Sequence, residues 1–492
     1  MASTLGHCVV AREARASEIE AAKSDVRSIE ELENRIARWA ASDEIVGAEL
    51  LIFEGDQMIA SRAFGWQNRE VGAKLEVGAI YRVNAMTKPV IGTAVLLLSD
   101  DGSLHLDDPV SSYLKSFDTE ALRSITIRQL LSNRSGLGGS TGSDSRLPKG
   151  FNAYPDLATL VEAIAAIPRD SLDHRFQYSN NNTAVLGHLV AQVSGISLEQ
   201  FIAHRIFEPL GMIDSHTRFS PQAPWADKVV STYALQPESC KHERVWSPAD
   251  VQSAPYFRPS GGLYTTAHDY SRFLSMWLNE GRFDGQQFLK EATVKEALQP
   301  IGDRLIYNEG SAFGLHWTIY DPNSAQGMPS IFGQGGSNGT LAIAFPRTGK
   351  LVLYFSQSRN IYNRARFYQE LGETEGFHEI RSIWAGEIRD AWREAIEAGR
   401  VPDEKLAMEL VGNYSMGQHS SLRLEWRDDT LTFVTHRGDK GRFFTSPEGD
   451  LLTGNCEASI RRLSIERSDD GKIFALNGKM ENGASFRLLR SD

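Results

Sequence analysis

Ala85 and Lys88 stand three residues apart in YRVNAMTKPVIGTAVLLLSDDG, at what should be the first turns of a helix. Residues so spaced share one helix face. With a serine at position 85, a lysine whose pKa is lowered by burial and nearby cations could take the hydroxyl proton and create a nucleophile. Alone the pairing is weak, because such spacings are common and Lys88 reads equally as a solvated helix lysine. Further clusters give it context: Tyr178-Ser179-Asn180 in FQYSNNNTAVLG and Gln334-Gly335-Gly336-Ser337 in FGQGGSNGT.

These clusters need elements to hold them. Ser28 and Glu31 form a capping box for a helix with Ile29, Leu32, Ile36 and Trp39 on one stripe. A hairpin follows, turning at Glu54-Gly55-Asp56-Gln57. From about 81 to 300 the chain reads as helices and loops: PVIGTAVLLLSDDG runs from Pro89 to Gly102, and NTAVLGHLVAQVSG closes on Gly195. Strands return in SAFGLHWTIY, PSIFGQGGSNGTLAIAF and KLVLYFSQS, separated by Asp321-Pro322-Asn323 and Pro346-Arg347-Thr348-Gly349. A helix over about 377–398 would put Ile380, Trp384, Ile388 and Trp392 on one face. Strands enclosing a helical middle predict an α+β fold, an antiparallel sheet covered by helices, with a helical insertion as the opposing wall of a cleft. After Gly399-Arg400-Val401-Pro402, strands recur at short spacing from SLRLEWR to SFRLLR, as in a small all-β barrel. The expected division is a loose tail at 1–24, a cleft-bearing domain at 25–398, a linker at 399–405 and a barrel at 406–492.

Taken with LLSNRSGLGG, FEPLGMIDS and SGGLYTTAHDYSRFL, the clusters identify a resemblance. The chain resembles the serine β-lactamase and penicillin-recognising family, in its class C-like branch of esterases, D-aminopeptidases and carboxypeptidases. The likeness spans about residues 30–398, and its three motifs occur in order, each in its expected secondary structure. The C-terminal strands look like the lipocalin-like barrel appended to some of these hydrolases. The resemblance implies hydrolysis or acyl transfer on an ester or amide through an acyl-enzyme, without metal or cofactor. Lys88 then matches the lysine base, Tyr178 the tyrosine that shuttles the proton, and Asn180 the amide that holds Lys88 and a substrate carbonyl. A lysine beside a phenol favours phenolate character, and an amide satisfies a buried ammonium. Gly335 and Gly336 let substrate approach the strand, while the N–H groups of residue 85 and Ser337 can form an oxyanion hole.

The chain departs from that pattern at three places. Ala85 stands where the family has its nucleophile, Gln334 where the strand motif begins with Lys or His, and Asn133 where histidine is frequent. Gln334 can still donate a hydrogen bond but carries no charge, and Asn133 keeps a structural role. Ala85 removes the atom that would form the acyl-enzyme. The retention of Lys88, Tyr178 and Asn180 favours a serine changed to alanine to trap a substrate. A natural ligand-binding pseudoenzyme and a non-hydrolytic acid–base reaction by Lys88 and Tyr178 are the alternatives. Thr87, one residue before Lys88, points about 100° away around the helix and does not substitute.

Composition sets the remaining bounds. Lys and Arg total 52 against 63 Asp and Glu, a net charge of −11 without long like-sign blocks. That argues against nucleic acid or an anionic membrane as partner and for a small-molecule or peptide ligand, neutral or cationic by charge alone. Cys8, Cys240 and Cys456 are far apart and read as free thiols. The first residues show only a short apolar run and no stretch approaches a membrane span, so the expected location is cytoplasmic, or periplasmic or secreted if a leader has been removed.

Overall fold

The computed structural model describes residues 28–382 and 401–491, apart from 139–146, 148, 169–175, 237–240, 251–254, 302–310, 321–326, 360, 417–420, 428, 436–439, 447–448, 454–461 and 480–484. The N-terminal tail, all three cysteines, and Trp384, Ile388 and Trp392 lie outside the described residues.

The first helix, α1 (Ile29–Ala41), begins at the expected capping box and buries Leu32, Ile36 and Trp39. The hairpin strands β1 (Gly47–Glu54) and β2 (Gln57–Asn68) follow. Two helices of the middle region matter for the site: α2 (Thr87–Asp100) and α3 (Asn180–Ser194). Helix α2 is buried on every side from Thr87 to Leu98, as expected of a core helix whose sequence is apolar all round. A later helix, α4 (Ala267–Leu278), starts from the N-cap Thr266. The returning strands are β3 (Phe332–Gly335), β4 (Leu341–Phe345) and β5 (Lys350–Ser356), and α5 (Ile361–Gly372) follows them.

Together these strands make one antiparallel sheet of eight, ordered Ala312–Phe313, Thr318–Ile319, β3, β4, β5, β1, β2 and Ala73–Lys74. The first hairpin and the last strands therefore meet in its middle, with Ala48 opposite Ser356 and Glu54 opposite Lys350. Side-chain alternation along β1 divides the core. Ala48, Leu50 and Ile52 pack with Leu32, Ile36, Phe367 and Leu371 on the face covered by α1 and α5. Leu51 faces the helical middle, with Met86, Val90 and Leu186. Each fully buried aliphatic side chain contributes roughly 1.5–3 kcal/mol, so both layers are needed to hold the sheet.

Glu49 breaks the apolar pattern of β1. It is fully buried; its Oε1 accepts from Gly78 N–H at 3.1 Å, while Oε2 has no hydrogen-bond partner among the described residues. Burial raises its pKa to about 7, against partial relief from Gly78 and the Tyr81 hydroxyl.

Of the helix expected over about 377–398, His378–Ser382 form a short 3-10 turn that buries Ile380, and the remainder lies outside the described residues. Phe367 and Leu371 of the earlier helix α5 pack against the sheet. The C-terminal strands close into a barrel of eight, sealed by Gly412–Ser415 pairing with Ser485–Arg490. That first barrel strand, GNYS, is too short to show alternation, and sequence reasoning missed it. A helix, Glu404–Leu410, precedes it, and its Ala407 and Leu410 fill the barrel core beside Tyr414.

Candidate active site

Ala85 lies in a 3-10 turn, Asn84–Met86, that leads directly into α2. Its first hydrogen bond runs from Met86 N–H to Val83 O, so the N–H of Ala85 precedes it. Asn84 holds a left-handed φ of 45°. Such backbone is uncommon for a residue with a side chain and needs tertiary support. The support comes from the strand opposite: Asn84 Nδ2 donates to Ser337 Oγ at 2.8 Å.

Lys88 is 1% exposed. Its Nζ donates to Asn180 Oδ1 at 2.6 Å and to Ser260 O at 3.0 Å, and sits 4.8 Å from the centre of the Tyr178 ring. No carboxylate is among these partners. Burial, and then the charge of Arg258, holds the amine well below the usual lysine range. A buried amine without an acid beside it is shifted toward its neutral form, the form that acts as a base.

Asn180 is placed by helix capping. Ser179 is the N-cap of α3, accepting from Asn182 N–H, and it donates to Gly138 O. Asn133, in a left-handed turn at φ 57°, accepts from Ser179 N–H at 3.0 Å and from Asn182 Nδ2 at 3.3 Å. Its own carbonyl takes Gln177 N–H at 2.8 Å. Asn133 thus clamps the segment carrying Tyr178.

Tyr178 is half-buried, edge-on to Phe313 at 6.4 Å. The expected phenolate character is not what its surroundings favour. Burial pushes the hydroxyl up from its ordinary value, with Arg364 and Gln334 pulling the other way, and Lys88 addresses the ring face. Burial thus holds the phenol toward its protonated form and the amine toward its neutral form.

On β3, Gln334 is buried and turned toward protein: Nε2 donates to Gly335 O at 3.2 Å and Oε1 accepts from Thr318 Oγ1 at 3.3 Å. Gly335 and Gly336 follow, and Ser337 is exposed in the turn beyond them. Gly336 lies against the nucleophile loop, for a Cβ there would stand 2.2 Å from Val83 O and 2.3 Å from Thr340 Oγ1. The Gly336→Ala protein should lose roughly 1–3 kcal/mol of stability and bind site ligands at least tenfold more weakly, because the strand must retreat from residue 83. Paired thermal melts and ligand titrations check this, and unchanged values in both would show that the close approach is dispensable.

Sequence reasoning missed three nearby residues. Ser260 contributes only its carbonyl, which no side-chain pattern reveals. Arg258 comes from the loop before the Gly261-Gly262 pair and carries no motif signal. His316 is fully buried at φ 65°, its ring nitrogens without a hydrogen bond among the described residues and its side chain against Gly92, one helical turn beyond Lys88. Burial first, and then Lys88, lowers its pKa to about 3, so the ring stays neutral. The one clue was a histidine in a GLHW turn whose backbone favours glycine.

The site therefore brings together the buried amine of Lys88, the phenol of Tyr178, the amide of Asn180 and the two backbone turns at Asn84 and Ser337. Comparison with known proteins points the same way. Penicillin-binding protein 4 of Amycolatopsis lactamdurans is 28% identical over 307 residues, covering 60% of this chain and 75% of that protein. Among solved structures, EstCE1, a hydrolase with promiscuous acyltransferase activity, superposes with a TM-score of 0.59 at 20% identity, covering 74% of this chain and 98% of that one. The octameric penicillin-binding protein homologue from Pyrococcus abyssi gives a TM-score of 0.59 at 19% identity and covers 94% of this chain and all (100%) of that one. At these identities the structural matches show a shared fold. The Beta-lactamase family model matches residues 32–370, more than half of the sequence, and the chain belongs to that family.

Proposed function

We propose that this chain is the nucleophile-lacking form of a serine hydrolase or acyltransferase acting on an ester or amide of a small molecule or peptide, with alanine where the reaction needs serine. The observation that carries this is Lys88: buried, without a carboxylate partner among the described residues, one turn after residue 85 and held by Asn180 and Ser260. A cation in that position is costly, and the cost is removed when the amine is neutral.

In the serine form, the hydroxyl at position 85 attacks the substrate carbonyl while its proton passes to Lys88. The tetrahedral oxyanion is held by the N–H groups of residue 85 and Ser337. Tyr178, protonated, donates to the leaving group as the carbon–heteroatom bond breaks, and the proton on Lys88 restores the phenol. Water or another nucleophile then releases the acyl group. Asn180 fixes Lys88, and Gly335 and Gly336 let substrate lie along β3. The alternatives, a ligand-binding pseudoenzyme or an elimination or isomerisation run by Lys88 and Tyr178, leave the oxyanion arrangement without a task.

Intact-mass measurement after exposure to a fluorophosphonate tests the reading. The Ala85→Ser protein should gain one adduct that peptide mapping places on residue 85, and the unmodified chain should gain none there. A folded Ala85→Ser protein that takes up no adduct and cleaves no activated ester would sink it. Among the described residues no helix is long and apolar enough to cross a membrane.

A further inference from the structure

A cavity of about 310 Å³ lies between the β1–β2 hairpin and the first turns of α4. That volume is at the lower end of the range for small-molecule sites. None of Ala85, Lys88, Tyr178, Asn180 and Gln334 lines it, so it is separate from the active site. Its floor is buried, made by Leu51 of β1 and by Thr266 and Asp269 at the start of α4. Its rim is apolar and open, with Met58, Val77 and Ile213 exposed by 48%, 48% and 83%. Large apolar side chains left in water around one hollow suit an apolar ligand.

Two opposite charges share this cavity without pairing. Asp269 is 3% exposed; its Oδ2 accepts from Asp214 N–H at 2.7 Å and from Ser215 Oγ at 2.9 Å, while its Oδ1 has no hydrogen-bond partner among the described residues. Arg272, three residues on and so on the same helix face, lays its guanidinium against Gly211, another lining residue: its Nη1 would be 3.2 Å from a Cβ there. Its one hydrogen bond among the described residues, to Leu210 O, is 3.4 Å long, weak for a charged donor. The other acid of the cavity, Asp214, is taken by Lys228 at 3.3 Å, and His268 is exposed. Burial pushes the Asp269 carboxyl up from its ordinary value, against the hydrogen bonds from Ser215 and the Asp214 N–H, so a cation brought to Oδ1 relieves a penalty already present. An acid and a base that line one hollow without pairing match the two ends of a zwitterion, ammonium on Asp269 and carboxylate on the Arg272 fork. The third part of such a ligand, an apolar side chain, meets Met58, Val77 and Ile213.

We propose that this cavity binds a free α-amino acid with an apolar side chain. The site goes beyond the reaction at residue 85 and does not depend on it.

Calorimetric titration of the unmodified chain with each enantiomer of leucine tests the proposal, beside 3-methylbutylamine, which lacks the carboxylate, and 4-methylpentanoate, which lacks the amine. One enantiomer at least should bind about tenfold or more tighter than either singly charged compound. N-acetyl-leucine amide, which has neither charge, should bind more weakly than leucine, and so should glycine, which has no apolar side chain. Asp269→Asn should erase the advantage of leucine over 4-methylpentanoate, and Arg272→Gln its advantage over 3-methylbutylamine. Ile213→Ser, at an exposed position, should weaken leucine and both singly charged compounds alike. Melting curves identify any variant that fails to fold, and the ligand series with Ile213→Ser then decides the matter. Leucine binding no tighter than the singly charged compounds, or an affinity untouched by Ile213→Ser and by the charge variants that fold, would overturn the proposal. So would N-acetyl-leucine amide binding as tightly as leucine, since the cavity would then take a side chain from a peptide.

Discussion

Replacing Ala85 by serine is expected to raise turnover of activated esters by at least about 10³-fold over the unmodified chain, since loss of a nucleophile removes the covalent route altogether. The change adds one oxygen at a half-buried position one turn before Lys88, whose amine Asn180 holds. In the serine background, Lys88→Ala or Tyr178→Phe should each cut kcat by about 10²–10⁴-fold. The double variant should lose far less than the product of the two, because the amine and the phenol move one proton between them. The pH profile carries the sharper signature. A base works when neutral, and burial keeps Lys88 well below the ordinary lysine range. Activity should therefore fall as pH drops through that depressed value, and should not climb toward pH 10 as an ordinary lysine would require. Strictly multiplicative losses, or a rate that keeps rising to pH 10, would remove Lys88 and Tyr178 from the proton path.

The largest effect on stability is expected at Glu49. Its folded pKa, about 7, lies above the ordinary value of 4.5, so the folded protein holds this proton more tightly than the unfolded chain. Below about pH 4.5 both states are protonated and nothing is lost. Between 4.5 and 7 the unfolded state releases its proton first, and stability declines by up to about 3 kcal/mol before levelling off. Glu49→Gln keeps an oxygen for Gly78 N–H and abolishes the ionisation. The variant should match the parent near pH 4.5 and exceed it at pH 8 by about 1–3 kcal/mol in urea unfolding. A pH-independent difference would place the effect in packing.

What could be read from the sequence depended on whether a residue's role lay in its side chain and local spacing. The capping box of Ser28 and Glu31 is one local motif, and α1 begins there as expected. Lys88 and Asn180 could be singled out because each opens a helix, and the structure brings their side chains together across 92 residues of sequence. The direction in which the fold shifts the pair, Lys88 down and Tyr178 up, was not legible. It depends on burial and on where the ammonium sits against the ring, which only tertiary packing sets. Ser260 was invisible for another reason: it acts through its backbone. Arg258 carries no motif, and only the folded chain brings its guanidinium against Gly261 beside Asn84.

The central place of β1 in the sheet also governs how the protein must be made. β1 is finished early in synthesis, yet one of its two edges waits for β5: Ser358 Oγ takes the Val46 N–H across 312 residues. At ~5–20 residues per second, roughly 300 residues take about 15–60 s to emerge. Throughout that interval the first hairpin presents a bare edge of Leu50, Leu51 and Ile52, and the entropy of closing so long a loop is met only at the end. Nascent chains shorter than about residue 350 should therefore associate with one another or with chaperones through that edge, and release should coincide with the arrival of β5.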